Sequence, residues 1–211
     1  MRDQESVLFC HADDVDLLSM IHAWWDLTAE HHPLIETYAG MLHAQEEHPR
    51  SRFLLLIQSL EGMYGHETKE EYERQKAAHH ERRAETLERI RDHAEPKDFQ
   101  FIKKTLHRDP LRSLETALEW AFEVPSPEPS IQARLADTHL VQMVVSHEAE
   151  EDRGCSTLSA IRIARNGLAH GTRGFDAEDL DIVNDILDRV VRAHSLRLLG
   201  CPHQVLRRLF D

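Results

Sequence analysis

The amino-acid sequence predicts an all-α fold, an antiparallel helical bundle with an extra helix in front of it. The 211 residues include only eight glycines, and no long stretch alternates apolar and polar residues in the way that marks a strand. Apolar residues instead recur at helical spacing along most of the chain. These observations argue against a sheet-based architecture.

The N-terminal part predicts two helices. The first is capped by Asp13 or Asp14, carries its apolar residues between Leu17 and Leu27, and ends near His32-Pro33. The second starts near Pro33 or Gln45 and contains residues 53–64, whose apolar side chains cover more than one helix face. Such a helix is expected to be central and buried.

The middle of the chain predicts helices of different character. Residues 68–93 are rich in Glu, Arg and His with few apolar anchors, which predicts either a long helix with a mostly solvated surface or a partly disordered segment. Shorter helices are expected at 97–106 and 111–122. Three prolines in five residues make 124–129 a stiff loop, and 130–147 is again amphipathic.

The C-terminal part predicts the motif helix at 157–169, a turn at 171–174, a long helix opened by Asp176, and a short closing helix after Pro202.

We therefore divide the chain into an N-terminal helical extension (1–44), a helical bundle (45–200) and a short C-terminal helix packed on that bundle (201–211).

Composition restricts the class of protein. The longest wholly apolar run is five residues, Phe53–Ile57, so no membrane association is expected. The N-terminus has no signal-peptide layout, and three scattered cysteines argue against a disulfide framework. We expect a cytoplasmic protein. The net charge of −13 argues against non-specific coating of nucleic acid, although it permits RNA cleavage at a local basic cleft.

Sixteen histidines raise the question of a metal site. None of them has a second histidine three or four positions away, and none has Asp or Glu three positions before it. Helical metal sites use those spacings, so we expect no metal and no cofactor.

One segment concentrates residues that suit phosphodiester chemistry: Ile161-Arg162-Ile163-Ala164-Arg165-Asn166-Gly167-Leu168-Ala169-His170-Gly171. On a helix, Arg162, Asn166 and His170 share a face, whereas Arg165 and His170 diverge by about 140°. Arg165 and His170 can therefore meet one phosphate only if Gly167 distorts the helix or a second copy brings its own set opposite. The sequence thus predicts a site assembled by two copies.

These residue types match what cleavage by a neighbouring 2′-hydroxyl requires. Histidine can act as general acid or base near neutral pH, and arginine offers a fixed charge and a bidentate fork for phosphate. Asparagine can orient the ribose or the phosphate. The alternative is structural, because Arg and His near a helix C-terminus also satisfy its last carbonyls and complement its dipole.

The segment Arg165-Asn166-Gly167-Leu168-Ala169-His170 resembles the Arg-x4-6-His signature of the HEPN superfamily. A second stretch, from Arg52 to Tyr64, is similar to a helix of the C-terminal HEPN domain of ApeA-type anti-phage proteins. The resemblance covers roughly residues 13–199. It implies a bundle that dimerises through the motif helices and cleaves RNA to halt infected cells.

Carried over by position, the resemblance implies catalytic roles for Arg165, Asn166 and His170, with Arg162 as a further substrate contact. Gln58 and Glu61 match the family's first-helix motif and would support the site. The implied partners are RNA, a second copy bound through the motif helix, and a regulatory N-terminal domain absent from this chain. Two alternatives stay open: a non-catalytic HEPN module for dimerisation or partner recruitment, and transfer of a nucleotide to a protein.

Overall fold

The computed structural model describes residues 15–43, 48–123 and 129–210, and within them every regular element is a helix. This confirms the predicted all-α fold. In chain order the helices are α1 (Leu17–Ala29), α2 (Pro33–His43), α3 (Pro49–Glu67), α4 (Lys69–Arg91), α5 (Pro96–Thr105), α6 (Leu114–Glu123), α7 (Pro129–Ala136), α8 (His139–Glu150), α9 (Thr157–His170), α10 (Ala177–Leu198) and α11 (His203–Arg207). No helix in these ranges is long and apolar enough to cross a membrane.

Two compact units divide the chain. One comprises residues 1–64 and 114–211, and the other is Gly65–Ser113. The expected boundaries at 44/45 and 200/201 stay predictions.

The larger unit is built around α3, α9 and α10. Its core includes five side chains of α3 that are fully buried, namely Phe53, Leu56, Ile57, Leu60 and Met63, which confirms the prediction of a central helix. Helix α9 packs against α6, α7 and α8, and α10 packs against those three helices and α11. The motif helix is thus held on several sides by other helices.

Polar contacts fix the N-terminus of α3 against α10. The amide of Asn184 donates to the Pro49 carbonyl at 2.9 Å.

Ion pairs connect the same two helices. Arg52 lies 3.6 Å from a carboxylate oxygen of Asp185 and 3.8 Å from one of Asp188. Arg192 also pairs with Asp188, at 2.8 Å. Burial raises the pKa of Asp188, because desolvation outweighs the two neighbouring arginines.

The smaller unit contains α4 and α5, and α4 has no buried residue. The expected solvated helix at 68–93 is confirmed. Hydrogen bonds connect α4 to the residues that follow it. Arg83 donates to the carbonyls of Lys103 (3.0 Å) and Leu106 (3.3 Å), and His80 contacts Asp109 at 2.8 Å.

Three local expectations need correction. The cap of α1 is Asp16, whose carboxylate accepts from the amides of Leu18 and Ser19; Asp13 and Asp14 lie outside the described residues. The second helix, expected to start near Pro33 or Gln45, is α3 and starts at Pro49, while Pro33 begins a separate helix, α2; Gln45 lies outside the described residues. Residues 130–147 are also two helices, because Thr138 adopts extended backbone (ψ 143°) and caps α8.

The remaining expectations match closely. Asp176 caps α10, with its side chain accepting from the Glu178 amide at 2.8 Å. The segment 124–128 of the expected proline loop lies outside the described residues, and Pro129 begins α7. The closing helix α11 follows Pro202 and buries Val205 and Leu206.

Candidate functional site

The motif helix α9 is regular from end to end. Ser156 caps its N-terminus, and Gly171 ends it in the left-handed conformation, with φ of 66° and its amide donating to carbonyls of the last turn. The helix continues through Gly167 without a break, so the distortion that would have brought Arg165 towards His170 on one chain is not present. The expected approach of a second copy stays a prediction.

At helical spacing, Thr157, Ile161, Ala164 and Leu168 are expected to form one apolar stripe on α9, and the structure bears this out. Ile161 and Ala164 are fully buried, Leu168 is nearly so, and Thr157 is half-buried. Arg162, Arg165 and Asn166 are half-buried, and His170 is exposed. Burying the stripe therefore leaves the polar motif residues in contact with solvent.

Arg165 is the best-positioned side chain of the motif. Its Nη2 lies 3.0 Å from a carboxylate oxygen of Glu61 on α3, and its Nη1 donates to the Asn166 side-chain carbonyl at 3.1 Å. About a third of both the Arg165 and Glu61 side chains is exposed. The guanidinium has five N–H donors in a fixed fork, so these two contacts orient it and leave donors available.

Arg162 is held separately. Its Nε donates to Glu115 on α6 at 2.8 Å. That hydrogen bond is the main reason that the pKa of the Glu115 carboxyl is lowered. The structure thus gives the two motif arginines different acidic partners rather than joining them in one cluster.

The two residues expected to support the site from α3 differ in their surroundings. Glu61 contacts Arg165 directly, as described above. Gln58 lies three residues earlier on the same helix and is exposed.

His170 is the last residue of α9, and its imidazole is exposed to solvent. Among the described residues, none forms a hydrogen bond or ion pair with it. It therefore does not cap the last carbonyls of α9 through a hydrogen bond, although its position in the last turn suits the helix dipole.

Two arginines that the sequence did not single out lie at the same end of α9. Arg50, at the start of α3, donates to the Leu168 carbonyl. Arg173, in the turn after the motif, packs its Cβ where a side chain at Gly167 would sit: a Cβ built on Gly167 would be 2.7 Å from the Arg173 Cβ. A glycine inside a predicted helix was the available signal for this close approach; nothing in the sequence pointed to Arg50.

Together these residues place Arg50, Arg165, Arg173 and His170 along the last two turns of α9 and the turn after it. Of these side chains, Arg165 is paired with Glu61, and Arg50 donates to the Leu168 carbonyl. The exposed part of the Arg165 guanidinium can bind a phosphate, and the exposed imidazole of His170 can exchange a proton. On the unbroken helix of one chain, however, the two side chains diverge by about 140°. Within the described residues, no group of three or more His, Cys, Asp or Glu side chains is arranged to hold a metal ion.

Comparison with models of known protein families, with curated proteins and with solved structures finds no match to this chain.

Proposed function

We propose that this protein is a metal-independent endoribonuclease of the HEPN type, acting as an anti-phage effector that cleaves RNA through attack by the 2′-hydroxyl. The proposal rests on how the structure holds the motif side chains of α9. Arg165 is oriented by Glu61 and Asn166 while still reaching solvent, and His170 is exposed on the same helix.

In the proposed reaction the ribose 2′-oxygen attacks the adjacent phosphorus, and the bond to the 5′-oxygen of the next nucleotide breaks. A base removes the 2′-hydroxyl proton and an acid protonates the leaving oxygen, giving a 2′,3′-cyclic phosphate and a 5′-hydroxyl. His170 serves as acid or base, and Arg165 binds the phosphate and stabilises its extra negative charge in the transition state. Asn166 positions the ribose or phosphate.

The supporting residues have graded roles in this proposal. Glu61 orients Arg165 directly. Arg162 can contact a phosphate only by sharing its guanidinium with Glu115, since that pair is already formed. A second copy docked through α9 would bring its own motif residues opposite, so that an Arg165 and a His170 reach the same phosphate, because within one chain His170 lies on a face that diverges from Arg165.

The experiment is a comparison of Arg165→Ala and His170→Ala with wild type. Both variants are expected to lose RNA cleavage by the purified protein and toxicity on expression in cells. If both activities are unchanged in the two variants, the site assignment is wrong.

A second candidate is a non-catalytic HEPN module that dimerises or recruits a partner. The charge of −13 favours it, as does the pairing of both motif arginines with carboxylates. This second candidate predicts that wild type, Arg165→Ala and His170→Ala all leave RNA uncut. It also predicts that both variants still bind the partner.

A further inference from the structure

Helix α1 exposes large apolar side chains of the kind that helices normally bury. Five of its large apolar residues are exposed, by fractions of 58% for Leu17, 57% for Leu18, 39% for Ile21, 39% for Trp24 and 62% for Trp25. The one buried residue of α1 is Leu27. We call these five exposed side chains the α1 stripe.

The stripe forms one continuous face. At about 100° per residue, its five side chains lie within an arc of about 120°, and Leu27 lies outside that arc on the side that anchors the helix. Leu17, Ile21 and Trp24 follow one another at spacings of four and three residues. That spacing is typical of the seam between two paired helices.

We propose that the α1 stripe binds the same stripe of a second copy of this chain, with the two α1 helices antiparallel about a two-fold axis. The first argument is charge. Every position of the stripe is occupied by Leu, Ile or Trp, and α1 carries no acidic residue in its first turn and no basic residue in its last. A face that meets itself must be neutral or self-complementary, because a charged one would meet a like charge.

The second argument is area. The two tryptophans and three aliphatic side chains leave on the order of 500 Å² of apolar surface in water, which matches the largest patches found on monomers and is often functional at that size. Two copies together would bury about 1,000 Å², the lower limit for a specific interface. Trp24 and Trp25 are the residue type that most often dominates binding energy at such contacts.

This contact is independent of the proposed nuclease site, since it uses a different helix from α9. If a second copy also docks through α9 about a different two-fold axis, the α1 stripe links two such pairs, and disrupting the stripe still halves the mass of the assembly. The proposed contact through α1 can therefore be tested independently of RNA cleavage.

The test measures mass in solution by light scattering after gel filtration, from about 1 to 100 µM. The variants are Trp25→Glu and the milder Trp24→Ala/Trp25→Ala pair. Leu111→Glu is the matched control, because Leu111 is a still more exposed apolar residue (74%) outside α1. Far-UV circular dichroism verifies that each variant is folded.

We expect wild type and Leu111→Glu to share one mass, and both α1 variants to have half of it, with a dissociation constant about thirtyfold or more higher. Tryptophan emission of wild type should shift to the red on dilution as the α1 stripe becomes exposed. Equal masses for wild type and the α1 variants would overturn the proposal, whether both are monomers or both are oligomers through another face. A wild type that binds only a different protein through α1 would overturn it as well.

Discussion

Arg165 on α9 and Glu61 on α3 form an ion pair, with 3.0 Å between Nη2 and Oε2, across 104 residues of sequence. The pair connects the motif helix to the central helix of the core. Since Asn166 accepts from the other terminal nitrogen of the same guanidinium, the arginine is oriented from two sides while staying in contact with solvent.

Replacing Glu61 with Gln tests the orienting role of this pair. The variant keeps the shape of the side chain but removes its charge, so Arg165 is held less firmly. Because both side chains are about one-third exposed, the free energy of unfolding should fall by no more than about 1 kcal/mol. Cleavage should fall by about tenfold or more, since small misplacements of a catalytic group are costly.

The control for that prediction is Glu119→Gln, the same chemical change at an exposed glutamate on α6. It should leave cleavage close to wild type. Equal losses in Glu61→Gln and Glu119→Gln would mean that the contact between Glu61 and Arg165 is not what cleavage depends on.

Gly167→Ala should destabilise the protein even though alanine is the better helix former. The new Cβ would lie 2.7 Å from the Arg173 Cβ, and neither atom is the free end of a flexible side chain. The turn after α9 must therefore shift, at a cost of about 1–3 kcal/mol that exceeds the gain of about 1 kcal/mol in helix propensity. Urea unfolding measures the net effect.

Gly154→Ala provides the comparison, because a Cβ there meets nothing within 4 Å. Its midpoint should equal or exceed that of wild type. A Gly167→Ala protein more stable than wild type would show that Arg173 yields its place readily.

His194 makes the stability of the larger unit dependent on pH. It is fully buried, stacks on Trp120 with ring centroids 4.6 Å apart and contacts the Ala121 carbonyl at 2.9 Å. Burial lowers its pKa to about 4. Since the unfolded chain binds the proton more readily, stability is lost as the pH falls from about 6.5 towards 4, with about 2 kcal/mol lost between pH 7 and pH 5.

Urea unfolding of wild type and His194→Gln at pH 7 and pH 5 measures this contribution. The variant should be less stable at pH 7, and its loss between the two pH values should be smaller than that of wild type by about 2 kcal/mol. An identical loss in both proteins would mean that His194 is protonated in the folded state as readily as in the unfolded one.

The sequence predicted the presence of helices better than it predicted where they end or which other helices cover them. The solvated character of α4 and the cap of α10 at Asp176 follow from local composition, so both were predicted correctly. The break at Thr138 was missed because the apolar spacing runs on through it, although the backbone there leaves the helical conformation. Periodicity likewise identified the apolar face of α1 but cannot say whether such a face is covered.

The same distinction between local patterns and contacts between helices applies to the candidate site. The burial of Ile161 and Ala164 follows from spacing on a single helix. The partner of Arg165 lies 104 residues away, so no local pattern identifies it, and Glu61 was singled out only through resemblance. The contact of Arg50 with the Leu168 carbonyl depends on how α3 meets α9, which a pattern within either helix does not contain.

The most direct test of the central claim is cleavage of total RNA and of tRNA by the purified protein in excess EDTA, with His170→Ala and His147→Ala beside it. His147 is a matched control, since it is an exposed histidine in the last turn of a different helix, α8. We predict that wild type and His147→Ala cut RNA and that His170→Ala is about a hundredfold or more slower. Equal cutting by wild type and His170→Ala, or no cutting by wild type, would contradict the proposed ribonuclease.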